Sequence, residues 1–556
     1  MTDTMATSRS PATWLAAFLA ALLAAGLAPA ARAAPDLVLY NARVFTASKA
    51  RPYAQAIAIE GQRIVAVGSS KQMTALAGSG TRLRDLHGQL VIPGIDDAHY
   101  HLFVQPAGTQ LKFKDDEPTW PEVQAALAEA AARDPKGAYI FADIGAAIFE
   151  DRRATRQALD AIAPDHKVVL RNPGGHFYVL NSEAMRSLGV AEDEPDPKGG
   201  IFEHTAPGGP LNGRAIEFAA FALHRRIANL TSDQDALQQT REFLQQAVQF
   251  GITSVQNMSI PVPATRLVDL YSAAPTPIRQ RIMHYRLTDS RGPIVGESDG
   301  QRPGLPPLIT VSGIKWVLDG TPIERTAALR APYTDDPQTA GWMNFSQADM
   351  QSMLQESLAR KQQMVMHIIG DRTTEAFLDA MDATGGARQW SGRRVRIEHG
   401  CGLAPDLLAR AHALGVLVIV DPLHLDFGFA LEKRWGPERT QQFEPMQSLL
   451  KAGIPLALGS DGLLNPYANI MYAVMHPMRP GEGLTREQAV IAYTRTSAYA
   501  EFAERDKGSL EPGKLADLAV LSQDIFTVPL DQLPVTESVL TMVGGTVVYE
   551  KAGAKP

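Results

Sequence analysis

Residues 91–101 read Val-Ile-Pro-Gly-Ile-Asp-Asp-Ala-His-Tyr-His. In an extended strand, residues two apart point to one side, so His99 and His101 can present two imidazoles to a single point. Neutral imidazole suits Zn, Fe, Co or Ni, and a ligating ring needs its second nitrogen fixed by an acceptor, a duty open to Asp97. Alone, such a pair is equally at home in a core or on a surface. The placing of other donors gives it weight. His367 follows the apolar run 364–366, His399 closes Arg-Ile-Glu-His, and Asp461 lies in Leu-Gly-Ser-Asp-Gly. The interval from His367 to His399 is 32 residues, one strand-helix unit, and that from His399 to Asp461 is 62, two units.

Elements that bring such donors together must be strands ending at a common face. Short apolar runs at 90–95, 252–256, 281–285, 313–318, 364–368, 395–398, 416–420 and 455–458 alternate with helical patterns. Eight runs of this kind predict an α/β fold, a (β/α)8 TIM barrel, in which strand ends share one mouth. The five donors then fall after the first, fifth, sixth and eighth strands. Lys315 lies inside the fourth. A lysine between apolar neighbours beside a metal can lose its proton and take up CO2, giving a carbamate that bridges two cations; the alternative is an ammonium paired with Asp319 or reaching solvent.

About 155 residues separate the first two runs, where a barrel unit needs only a few tens, so an α/β insertion follows the first strand. Its candidate strands are 141–148, 167–170 and 177–180. It projects from the face where barrel enzymes do chemistry, as a substrate lid would. Alternating patterns at 37–45, 56–67 and up to Val91, and again at 516–521, 539–543 and 546–549, predict short antiparallel strands that form one β-sandwich from both chain ends. The resulting division is a signal peptide at 1–33, the N-terminal part of the sandwich at 34–89, the barrel at 90–505 with its insertion at about 105–235, and the C-terminal part of the sandwich at 506–556.

In this order the motifs resemble the amidohydrolase superfamily, and most closely its amidohydrolase-3 subgroup of N-substituted formamide deformylase-like proteins. The resemblance rests on Pro93 to His101, the Lys315 strand with Asp319-Gly320, His367 with Gly370-Asp371-Arg372, Arg396 to His399, Gly459 to Gly462 and the closing segment 508–518. It implies that His99, His101 and Asp461 bind one divalent metal, His367 and His399 a second, and that carboxylated Lys315 bridges them, with zinc the expected ion. The implied reaction is hydrolysis of an amide, N-formyl or cyclic amide C–N bond, with Asp461 moving the proton. A motif at 175–182 resembles one in which His176 and Asn181 border the substrate, although Pro173-Gly174-Gly175 departs from its commoner form. A mononuclear deaminase or an ester or carbonate hydrolase of the same superfamily is the alternative enzyme, and an inactive periplasmic binding protein the alternative outside catalysis.

The remaining composition narrows the partners. With 53 basic against 60 acidic residues and no basic block, the chain carries a formal charge of -7 and is not built to track a phosphate backbone, which leaves a small molecule as substrate and excludes nucleic acid. The apolar run 14–27 followed by Ala31-Arg32-Ala33 fits a cleaved secretory signal, hence a periplasmic or secreted protein with no stable membrane insertion after cleavage; a retained anchor is the alternative. Cys401 is the only cysteine, so no intramolecular disulfide forms, and a small buried residue is its expected role. The sequence leaves a homodimer open.

Overall fold

In a computed structural model that describes residues 1–2, 34–115, 117–294 and 296–553, the chain folds around a parallel barrel. The leader expected at 1–33 lies, apart from its first two residues, outside the described residues. Eight strands follow one another around the sheet in chain order: Ile95–Tyr100 (β1), Ile252–Met258 (β2), Arg279–Tyr285 (β3), Ile309–Val317 (β4), Met364–Ile368 (β5), Arg396–His399 (β6), Leu417–Val420 (β7) and Leu456–Leu458 (β8). Every neighbouring pair is parallel. Most strand residues are buried, and in β7 all four, Leu-Val-Ile-Val, are apolar, because helices cover the outside. At the mouth the amides of Ser460 and Asp461 donate to the His99 carbonyl at 3.1 and 2.9 Å, joining the last strand to the first.

The helix Asp233–Gln249 shows how the outer layer is specified. The Ser232 side chain accepts from the Asp235 amide, and Asp233 and Asp235 favour the positive end of the helix dipole. Ala236, Thr240, Phe243, Leu244, Ala247 and Val248 form its buried stripe, and Gly251, at φ 76°, turns the chain into β2.

The first expected strand needs correction. Leu90–Pro93 belongs to the sandwich, pairing with Arg43–Phe45 and Leu518–Leu521, and the barrel begins one residue after Gly94. A Cβ at Gly94 would stand 2.2 Å from Thr253 Oγ1, so glycine is what lets the chain pass between the two sheets. The sandwich faces a four-stranded sheet (Leu37–Tyr40, Ala56–Glu60, Arg63–Gly68, Arg82–Asp85) against a six-stranded one that also takes in Tyr53–Ala54, Ser538–Val543 and Thr546–Glu550. Leu39, Ile57, Val91, Leu518 and Met542 meet in its core. Its strands are not all antiparallel as expected: Leu37–Tyr40 runs parallel to Arg82–Asp85, and Arg43–Phe45 to Leu90–Pro93.

Between β1 and β2 the insertion builds a six-stranded mixed sheet in the order Gly200–His204, Leu211–Glu217, Phe177–Leu180, Lys167–Arg171, Tyr139–Asp143, Gly108–Gln110. The strand expected at 141–148 stops at Asp143. Ala146–Glu150 is a helix instead, because Glu117 accepts from the amides of Ala146 and Ala147 at 3.2 and 3.0 Å and satisfies its first turn. Among the described residues no helix is long and apolar enough to cross a membrane.

Candidate metal centre

β1 delivers His99 and His101 to the mouth, as the two-residue period requires. Their Nε2 atoms lie 3.2 Å apart. The His101 Nδ1–H donates to the Met258 carbonyl at 2.9 Å, and His99 Nδ1 lies 2.7 Å from a Glu398 oxygen, a contact favourable only if that nitrogen carries the proton. Both facing Nε2 atoms of the neutral rings are therefore lone pairs. Two lone pairs at this distance repel unless a cation stands between them.

The same arrangement recurs at β5 and β6. His367 Nδ1 and His399 Nε2 are 2.9 Å apart. The His399 Nδ1–H donates to Asp421 at 2.9 Å, and His367 Nε2 faces the Gly320 carbonyl at 3.4 Å, which can only accept. Again two lone pairs oppose each other. The donor atoms thus fit divalent metal on their own chemistry.

Asp461 stands between the two pairs. Its Oδ1 lies 3.5 Å from His99 Nε2 and 3.3 Å from His101 Nε2, and its Oδ2 is 3.9 Å from His399 Nδ1 and 3.7 Å from His424 Nε2. Donors of His99, His101 and Asp461 gather within 4.8 Å of one another, and so do those of His399, Asp421, His424 and Asp461. Both His399 (φ 73°) and Asp461 (φ 39°) adopt the left-handed backbone region, a strain that persists only where surrounding structure enforces it. His101, Asp461 and His424 retain 22, 17 and 24 % side-chain exposure while His99 and His399 have almost none, so the site opens on the side of the former three.

Burial dominates the electrostatics. It pushes His99, His367 and His399 well below the usual imidazole range, assisted by neighbouring Lys315 and histidines, and His101 down to about 3. Neutral rings are the ligating form. Burial likewise raises Asp461 to about 7 and lowers Lys315 to about 8. Asp319, the partner the sequence offered to Lys315, accepts instead from the amides of Ala328, Ile369 and Gly370 at 3.1, 3.0 and 2.8 Å. No carboxylate comes within 4.0 Å of Lys315 Nζ among the described residues.

The six expected donors are brought to one mouth, but the two substrate residues part company. His176 reaches in from the insertion, its ring centroid 5.3 Å from that of His367. For His176, burial acts downward, yet the carboxylates of Glu217, Glu324 and Asp461 outweigh it and the net shift is upward. Asn181 does not border the site. Its oxygen accepts from the Val168 and Ala184 amides, both at 2.9 Å, and its nitrogen donates to the carbonyls of Ala163 and His166, so it is a fully engaged cap of the helix Ser182–Ser187. Asp97 does not orient a ring either: it accepts from the amides of His99 and Ser460 and holds the barrel closure. The orienting groups are Glu398, Met258 and Asp421, and Arg396 grips Glu398 through Nε and Nη2 at 2.8 and 2.9 Å. Cys401 is buried, with its thiol pushed well upward by burial, and is packed behind His399 rather than poised to attack.

Imidazole and carboxylate donors gathered at the C-terminal mouth of an eight-stranded parallel barrel define the class of metal-dependent barrel hydrolases. Residues 82–549 match the amidohydrolase family, and the chain belongs to it; its class of reaction is hydrolysis of carbon–nitrogen bonds. The chain is 28% identical to Protein LONG AFTER FAR-RED 3 of Arabidopsis thaliana, over 94% of this chain and 93% of that one. It is 26% identical to the N-substituted formamide deformylase of Arthrobacter pascens, over 93% and 99%. In fold it is similar to an uncharacterized metal-dependent hydrolase from Pyrococcus horikoshii, with a TM-score of 0.67 at 21% identity, covering 89% of this chain and 99% of that one.

Proposed function

We propose that this chain hydrolyses the C–N bond of an amide, N-formyl or cyclic amide compound using two divalent ions, zinc by donor type, with His99, His101 and Asp461 holding one, His367 and His399 the other, and a carbamate on Lys315 joining them. The observation that carries the reading is the pair of opposed imidazole couples, 3.2 and 2.9 Å apart, whose outer nitrogens face the Met258 and Gly320 carbonyls and the carboxylates of Glu398 and Asp421. Lys315 supports the bridge. It is buried, has no carboxylate at ion-pair distance among the described residues, and is biased toward the neutral amine that reacts with CO2, releasing a proton as the carbamate forms.

Divalent ions in such a site supply Lewis acidity, lowering the pKa of water to about 7 and polarising a carbonyl. The remaining work falls to the chain. Asp461 lies between the two histidine couples, on the open side, where its carboxylate takes the proton of the attacking water and returns it to the departing nitrogen. Glu398, Met258 and Asp421 keep the rings from turning. The apolar run 14–27 followed by Ala31-Arg32-Ala33, read as a cleaved secretory signal, is the sequence feature behind proposing that this action takes place outside the cytoplasm.

The test is an activity screen of protein reconstituted with divalent metal against N-formyl amines, N-acyl compounds and cyclic amides, N-substituted formamides being the first choice because one relative bears that activity in its name. Turnover of at least one of these classes, abolished by chelation and restored by metal, is expected. Turnover confined to esters or to ring deamination overturns the reading.

A further inference from the structure

His176 and Glu217 are joined twice. The Glu217 amide donates to the His176 carbonyl at 2.9 Å, and the His176 Nδ1–H donates to Glu217 Oε2 at 2.8 Å. The other carboxylate oxygen, Oε1, accepts from Thr326 Oγ1 at 2.5 Å. Glu217 has no exposed surface, and its backbone sits at φ 55°, ψ -125°, where the strand Leu211–Glu217 turns into the helix Phe218–Leu230. Its carboxylate also takes the space beside Gly320, where a Cβ would stand 2.1 Å from Oε1. A buried carboxylate and a left-handed non-glycine backbone are each costly, and both are spent on holding one imidazole. With Nδ1 committed, the ring's Nε2 has no hydrogen-bond partner among the described residues, while the ring lies against His367 at the centre of the mouth.

We propose that Glu217 is a positioning residue that fixes His176 in the Nδ1–H form, so that the insertion aims the Nε2 lone pair at the mouth as an acceptor for an N–H of the substrate. This rests on the hydrolytic reading above. It assigns the insertion half of the reacting centre: His176 touches substrate, Glu217 acts only through His176, and Thr326 and Gly320 on the barrel loop shape the seat of Glu217. An acceptor held in this way orients the bound substrate for attack, so its loss falls on kcat/KM.

The test compares wild type, Glu217→Gln, His176→Ala and the double variant in the metal-reconstituted full chain. Glu217→Gln is expected to keep metal content and Tm while kcat/KM falls about 10- to 100-fold. The double variant is expected to be no slower than His176→Ala, because Glu217 has nothing left to position. Wild-type kcat/KM in Glu217→Gln, or losses that multiply in the double variant, overturn the proposal. Imidazole 1H–15N NMR provides a readout independent of any substrate: a hydrogen-bonded Nδ1–H of His176 in wild type that is lost in Glu217→Ala is expected. A His176 protonated only at Nε2 in wild type refutes the pairing even if no hydrolysed amide is found, and a failed substrate screen with the Nδ1–H intact counts against the reaction and not against the pairing.

Discussion

His99 and Glu398 are linked across the barrel, Nδ1 to Oε2 at 2.7 Å, and Glu398 is in turn held at both oxygens by Arg396, itself fully buried. This chain of contacts fixes which nitrogen of His99 faces the mouth. Replacing Glu398 by Gln keeps the shape but leaves a neutral group that can turn its amide toward the ring. Divalent metal affinity is expected to fall about 10- to 100-fold, by competition with a chelator, with the fold intact by circular dichroism. Unchanged affinity contradicts the orienting role.

Asp461→Asn retains an oxygen donor but cannot hold the proton. Turnover is expected to drop by at least about 100-fold while bound metal changes little, measured on the same preparation. Near-normal turnover removes Asp461 from the proton path.

Asn181 has four hydrogen bonds and no contact with the mouth. Its replacement by Ala leaves several buried backbone groups unpaired and is expected to lower stability by about 2 kcal/mol or more, seen in denaturant unfolding, without altering KM in any folded fraction. A KM effect at unchanged stability restores the substrate role that the sequence motif implies.

Glu203 lies in the insertion beside buried Arg214, with contacts at 3.0 Å. Burial raises its pKa, but Arg214 and Arg152 outweigh that and hold it below the ordinary carboxylate value. A lowered folded pKa contributes stability that is complete above the unfolded value and is lost as pH falls through the folded one. The Tm gap between wild type and Glu203→Gln is therefore expected to shrink as pH drops from neutral to below the carboxylate range. A gap that is constant or widens with acid contradicts it.

Much of the barrel was readable because a strand buried on both faces is a short apolar run, and such runs are hard to mistake at regular intervals. Periodicity does not say which sheet a run joins, so Leu90–Pro93 read as barrel although Gly94 passes it to the sandwich. Donors at strand ends were legible for the same reason as the strands. Asp421 and His424 follow β7 just as His399 ends β6, and the rule that residues after each strand line the mouth reaches them too. Glu217 carried no such signal. Its strand was not apparent, and its meeting with His176, 41 residues away in sequence, exists only once the insertion is folded. Asn181 misled because a motif beside a site residue need not itself reach the site.

The central claim is that two opposed histidine couples hold two ions joined through Lys315. Metal content per chain, by elemental analysis of wild type and Lys315→Ala purified and reconstituted side by side, tests it most directly. About two ions in wild type and about one in Lys315→Ala is the predicted result. One ion in both proteins, or none in either, contradicts the account.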